Sequence, residues 1–265
     1  MRRIFDIHCH VYPEKIASKA SAAIGKFYDI DMNFDGSFKS LKNDLAKTET
    51  AVAAIHSAAT TPSQVSAINK FISECVKSEP DRFIGFGTLH PLCDDIESHV
   101  EEMLSLGLRG IKIHPDFQKF NLDSPEAFAM FETVGDRLPF LIHMGDSRYT
   151  FSAPARLKAV MKRFPNVRVI GAHLGGWTVW DEAVRQLCDI DNLYVDCSSS
   201  LFAMSPERAA EIINIYTPDR VFYGTDYPMW DPAEEIKRFD ALPLDDSAKQ
   251  KILWDNAEKY FDLKV

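Results

Sequence analysis

A single-domain α/β fold, the (β/α)8 or TIM barrel, is what this sequence predicts, and three observations predict it. Eight short apolar runs alternate with stretches whose apolar residues recur at helical spacing. No Pro-, Gly- or Ser-rich linker divides the 265 residues, 46% of them hydrophobic, so one core spanning residues 1–265 is expected. Histidines and acids gather where the apolar runs end, the face on which such barrels place their chemistry. An open doubly wound sheet competes, but no glycine-rich phosphate fingerprint follows any run.

The first run, Phe5 to His10, alternates. On an extended strand Asp6, His8 and His10 share one side, and Ile7 and Cys9 the other. Ile16, Ala20, Ala23, Ile24 and Phe27 then mark a helix, Asp29 to Ser37 is polar and irregular, and Phe38, Leu41 and Leu45 mark a second helix before the strand Ala51 to Ala59. Pro62 opens a helix carrying Val65, Ile68, Ile72 and Val76, which Pro80-Asp81 closes ahead of Phe83 to Leu89. Ile96, Val100 and Met103 make the next helix, stopped by Gly107 before Arg109 to His114. Ser124-Pro125-Glu126 reads as cap, first-turn proline and first-turn acid, and the strand Phe140 to Met144 follows its helix. Pro154 starts another helix, Val167 to Ala172 is the sixth strand, and Trp180 to Leu187 lead to the strand Leu193 to Cys197. Ser205-Pro206-Glu207 repeats the cap chemistry before the last strand, Arg220 to Gly224, and Pro232 to Leu242 and Ser247 to Phe261 close the chain.

Charge and cysteine usage narrow the partners. The net charge of -9 is spread over interspersed acids and bases, which excludes a nucleic-acid surface or a polybasic membrane patch. Five cysteines without a CxxC pair suit a reducing compartment. The first ten residues hold no signal-peptide core, and no run is long enough to cross a bilayer. A cytoplasmic protein acting on a small molecule is expected, with a homodimer left open.

The strand ends carry His8 and His10, His56, His90, Lys112 with His114, His143, His173 and Asp226. In a closed barrel they converge at one mouth. His8, His10, His143 and Asp226 then supply the donor set of a catalytic zinc-type site, whose ion would lower a bound water's pKa from about 15.7 towards about 7. Asp226 would accept that water's proton, and His173 would donate one to the leaving group.

These segments resemble the amidohydrolase superfamily, in its amidohydrolase-related branch of metal-dependent barrel hydrolases and decarboxylases. The resemblance is carried by Asp6-x-His8-x-His10, Phe140-Leu-Ile-His143-Met-Gly145, Ile170-Gly-Ala-His173-Leu-Gly-Gly176-Trp177, Tyr223-Gly-Thr-Asp226-Tyr-Pro228 and Ile252-Leu-Trp-Asp-Asn256-Ala257. It implies a metal on His8, His10, His143 and Asp226, with His173 beside the metal-bound water. The family's fourth strand often brings a carboxylated Lys or a Glu between two metals; Lys112 stands there, and one ion is expected, since the likeness is to the single-metal branch. Zinc is the expected ion, and manganese, iron or cobalt also suit the donors. Lys112, His114, Arg148, Trp177 and Tyr227 are candidate contacts to a substrate carrying a carboxylate, Arg148 through its planar fork. Asp6 would brace the barrel or orient a ligand. The reaction expected is hydrolysis of an ester, lactone or amide. The alternative is non-oxidative decarboxylation of an unsaturated or aromatic acid at the same site, and a third reading is a non-catalytic barrel that binds a small acid.

Overall fold

The eight apolar runs pair in chain order. A computed structural model describes residues 2–32 and 34–263. Its strands are β1 (Ile4–His10), β2 (Thr50–His56), β3 (Phe83–Thr88), β4 (Gly110–Ile113), β5 (Phe140–Ile142), β6 (Val169–Gly171), β7 (Leu193–Asp196) and β8 (Val221–Phe222), one parallel sheet ordered β1 to β8. The two edges meet through Ile7 N to Tyr223 O (3.0 Å) and His10 N to Tyr227 O (2.7 Å), which brings the sheet round into a barrel. The last strand is shorter than its apolar run because Tyr223 N turns to Ile252 O, in the C-terminal segment.

Helices α1 (Ala17–Tyr28) and α2 (Phe38–Leu45) follow β1, and α3 (Val65–Ser78) and α4 (Ile96–Ser105) follow β2 and β3. Next come α5 (Pro115–Gln118), α6 (Pro125–Val134), α7 (Pro154–Arg163), α8 (Trp180–Leu187) and α9 (Pro206–Tyr216). The chain ends in α10 (Pro232–Asp240), α11 (Asp246–Gln250) and α12 (Asn256–Phe261). Ser124 and Ser205 cap α6 and α9 as their Ser-Pro-Glu motifs predict, each accepting from the backbone N–H three residues on at 3.2 Å. The irregular stretch 29–37 lies between α1 and α2, apart from residue 33, outside the described residues. Among the described residues no helix is long and apolar enough to cross a membrane.

Two apolar layers hold the barrel. Ile4, Cys9, Ala53, Ile111, Phe140, Val169 and Val221 pack outward against the helices. Phe5, Ile7, Val52, Phe86, Leu141, Ile170 and Phe222 fill the interior, and Trp254 and Phe261 from the C-terminal segment pack with them. Strict alternation therefore fails in β1: Phe5 and Ile7 face inward, yet Cys9 faces outward. Pairing with β2 shifts register between Asp6 and Cys9. This bulge corrects the simple parity reading, because it turns His8 and His10 to the mouth while Asp6 parts from them. Asp6 accepts instead from Thr225 N (3.0 Å), Thr225 Oγ1 (2.7 Å) and His8 N (3.0 Å), tying β1 to the segment that carries Asp226.

One buried acid outside the mouth makes stability pH-dependent. Glu235 on α10 is 1% exposed; one carboxylate oxygen pairs with Arg238 and the other has no partner. Burial raises its pKa from 4.5 to about 7 against the opposing pull of Arg238. The folded chain thus holds a proton that the unfolded chain releases, and the stability that proton confers is lost as pH rises from about 4.5 through about 7. Glu235→Gln is expected to be near neutral at pH 5 and to stabilise by on the order of 1–3 kcal/mol at pH 8, read as a gain in Tm over the parent at the higher pH alone.

Candidate active site

His8 and His10 at the end of β1 and Asp226 after β8 meet on one atom. Asp226 Oδ1 lies 3.3 Å from His8 Nε2 and 3.4 Å from His10 Nε2. His8 Nδ1 lies 3.0 Å from Asp196 Oδ2, at the end of β7, and an ionised carboxylate only accepts, so Nδ1 carries the proton. Burial, helped by Lys112, lowers the His8 pKa to about 4 against the pull of Asp196 and Asp226, so the ring is neutral and Nε2 carries no proton. Burial works against charge on Asp226 too, but His8, His10 and His173 outweigh it and hold the carboxyl well below its usual range. His8 Nε2, which carries no proton of its own and accepts from Lys112 Nζ at 3.0 Å, therefore faces a carboxylate oxygen across 3.3 Å.

A cation between these atoms would resolve that opposition. Edges of 3.3 and 3.4 Å are those of a tetrahedron whose corners lie about 2.0–2.1 Å from its centre, the bond lengths of imidazole and carboxylate to a zinc-sized ion. The carboxylate on His8 Nδ1 is the outer support such ligands carry. The buried His/Asp cluster fits a divalent metal ion.

His173 and His143 extend the cluster. His173 Nε2 lies 3.0 Å from His143 Nδ1, and His173 Nδ1 lies 3.0 Å from Ser198 O. His143 stacks on His114 with centroids 3.8 Å apart, and its Nε2 has no hydrogen-bond partner and lies 3.8 Å from Asp116 Oδ2. The compact donor groups among the described residues are His8–His10–His56, His8–His173–Asp226 and His114–Asp116–His143, so His143 stands next to the Asp226 group, through His173, rather than within it. His173 (φ 61°) and Asp226 (φ 60°) both adopt the left-handed backbone region. Such strain concentrates where surrounding structure holds a functional group in place. Gly145 (φ 83°) locks the loop after His143: a Cβ there would lie 2.5 Å from Trp177 N.

Lys112 Nζ is fully buried, 3.0 Å from His8 Nε2, and burial lowers its pKa to about 8 against the pull of Asp226 and Asp196. His114 Nε2 bonds the Tyr28 hydroxyl at 2.8 Å, and both residues line a small cavity over His10, His143 and Asp226. The Arg148 fork is engaged by Asp146 (2.7 and 2.9 Å) and by Phe27 O (2.6 Å), latching the β5 loop to α1. Trp177 packs edge-on to Tyr28 at 4.9 Å. Tyr227 points away from the cavity, its hydroxyl 3.2 Å from Asp44 Oδ2. His56 is buried and edge-on to His10 at 4.4 Å. Asp196 and Asp116 were not singled out in the sequence. The signal was there, an acid one residue before the end of the seventh apolar run and another two residues past His114.

A barrel whose rim gathers imidazoles around an ionised, buried carboxylate is an arrangement suited to holding a metal ion at the mouth. The chain belongs to the Amidohydrolase family, whose sequence pattern matches residues 5–263. It is 28% identical over 246 residues to the 2-amino-3-carboxymuconate-6-semialdehyde decarboxylase of Dictyostelium discoideum, a match covering 74% of this chain and 66% of that protein. An uncharacterised TIM-barrel protein from Bordetella bronchiseptica shares its fold with TM-score 0.81 and 19% identity, over 98% of this chain and 99% of that one. A dihydroxybenzoic acid decarboxylase from a Polaromonas species, solved with manganese and the inhibitor 2-nitroresorcinol, gives 0.74 and 17%, over 99% and 98%. The expectation of a hydrolase is overturned here, since the curated relative is a decarboxylase. The physical reason is that a metal beside an ionised Asp serves both reactions, so the residues that suggested hydrolysis never distinguished it.

Proposed function

We propose that this chain is a metal-dependent, non-oxidative decarboxylase of an aromatic or unsaturated carboxylic acid. The observation that supports it most directly is the match over 246 residues to a decarboxylase, in a chain whose rim holds an anionic carboxylate between two neutral imidazoles. His8, His10 and Asp226, joined by His173 or His143, would hold one divalent ion, zinc or the manganese of the Polaromonas relative. Once bound, such an ion would supply Lewis acidity to an acid held at the mouth.

The protein's own groups manage one proton. Asp226 would take it from a hydroxyl of the bound acid, and because its carboxyl is held well below its usual range it would give the proton up readily to the carbon bearing the carboxylate. As that C–H bond forms, the C–C bond to the carboxylate breaks, its electron pair returns to the unsaturated system and carbon dioxide leaves. Tyr28, Phe117 and Met229 wall the cavity and keep water from the reacting carbon. Incubating metal-loaded protein with hydroxybenzoate and lactone panels is expected to give carbon dioxide without solvent oxygen in the product. Chelation is expected to abolish the release, and manganese or zinc to restore it. Lactone opening with no carbon dioxide from any acid would reject the reading.

A further inference from the structure

Beyond the small cavity over Asp226 runs a groove of about 600 Å³ between α1 and the start of α3. The two share His10, Ile24 and Phe117 as walls, so the groove adjoins the mouth across these three side chains. Ile16, Phe27, Ile68 and Phe71 line its length, and alanines at 20, 23 and 67, on both facing helices, leave the room. Tyr12, Ser57, Thr60, Ser63 and Gln64 add uncharged polar groups to its lining, and among the described residues that line it there is no Asp, Glu, Lys or Arg. A second carboxylate or an ammonium placed there would lose water without meeting a partner of opposite charge. The groove thus suits no charged extension, and its volume is that of a small-molecule site.

We propose that the substrate is a monocarboxylic aromatic or unsaturated acid bearing an unbranched alkyl chain, and that this chain lies in the groove between α1 and α3. The proposal rests on the decarboxylase reading for the chemistry at the carboxylate, and on the groove alone for the chain.

The test uses 2-hydroxybenzoates with 6-alkyl chains of about one to seven carbons, one five-carbon chain ending in a carboxylate, and unreactive 3-alkylphenols as calorimetric binding probes. Both kcat/KM for carbon dioxide release and alkylphenol affinity are expected to rise about fourfold per methylene until the groove is filled, and the terminal carboxylate to erase the gain. Ala67→Trp, on the exposed wall, is expected to flatten that slope, with Ala23→Trp on the opposite wall as the second variant. Carbon dioxide release that ignores chain length, with equally flat alkylphenol affinity, overturns the proposal and leaves the decarboxylase reading standing. Affinity that climbs with the chain while no acid releases carbon dioxide supports the groove as the alkyl site and removes the decarboxylase reading. If Ala67→Trp instead changes the sedimentation of the protein and not the slope, the groove is an interface between copies and the proposal is wrong.

Discussion

Asp226→Asn is expected to slow carbon dioxide release about a thousandfold or more while the fold survives. Asn keeps the size of the side chain and also tolerates the left-handed backbone that residue 226 adopts, so the substitution isolates charge from shape. What it removes is the anion that His8 Nε2 and His10 Nε2 face at 3.3 and 3.4 Å. An amide cannot take up and return a proton near neutral pH, and losing a positioned acid/base costs about 10²–10⁴ in rate. The metal site weakens as well, because two neutral imidazoles lose the anionic donor between them. Asp226 is also the stronger of the two carboxylates that support charge on Lys112, whose pKa burial already lowers to about 8, so the variant's Lys112 is expected to titrate lower still. Turnover per bound metal is the measurement that decides, with metal content read on the same sample. Turnover within tenfold of the parent at full metal occupancy would remove Asp226 from the chemistry.

The barrel was legible because its signal repeats. Each helix between two strands carries its own stripe or cap, such as Ser124-Pro125 or Ser205-Pro206, so an error at one boundary does not change the architecture. The site was legible where two donors sit two residues apart, as His8 and His10 do. Alternation nonetheless misplaced Asp6 and Ile7, because a register shift inside β1 is a property of its pairing with β2 and leaves no mark in Phe5 to His10 itself. Asp196 escaped for a similar reason. Its importance comes from lying 3.0 Å from a histidine 188 positions away, which only the closed ring reveals. Arg148 illustrates the opposite failure: a planar fork in a loop after a strand invites a substrate carboxylate, yet Asp146, two residues away, already occupies it. The reaction itself was illegible from the donor set, since proton transfer at a metal-bound acid and at a metal-bound water call on the same carboxylate.

Asp196→Asn is expected to lower metal affinity about 10–100-fold while leaving a folded barrel, and Asp196→Ala to lower stability as well. Four donors converge on this carboxylate: His8 Nδ1 at 3.0 Å, Ser198 N at 2.9 Å, His173 N at 3.2 Å and Ser198 Oγ at 2.5 Å. Burial opposes its charge, but His8 and His173, with the Ser198 hydroxyl, outweigh it and lower its pKa to about 2, so it is ionised at any working pH. That charge keeps the His8 proton on Nδ1 and leaves Nε2 without one. An amide can still accept from the backbone N–H groups, but it holds the His8 tautomer less firmly, and outer supports of this kind are worth about 10–100-fold in metal affinity. Alanine goes further, leaving the N–H groups of His173 and Ser198 buried without acceptors at about 1–3 kcal/mol each. Because His173 N–H is one of them, the alanine variant is expected to loosen the left-handed turn at residues 173 and 174 that holds the His173 ring against His143. Chelator competition on both variants, set beside their Tm values, separates the two effects. An asparagine variant that binds metal as tightly as the parent would reduce Asp196 to a brace for the β6 and β7 ends, and the tautomer of His8 would then have to be set by Lys112 alone.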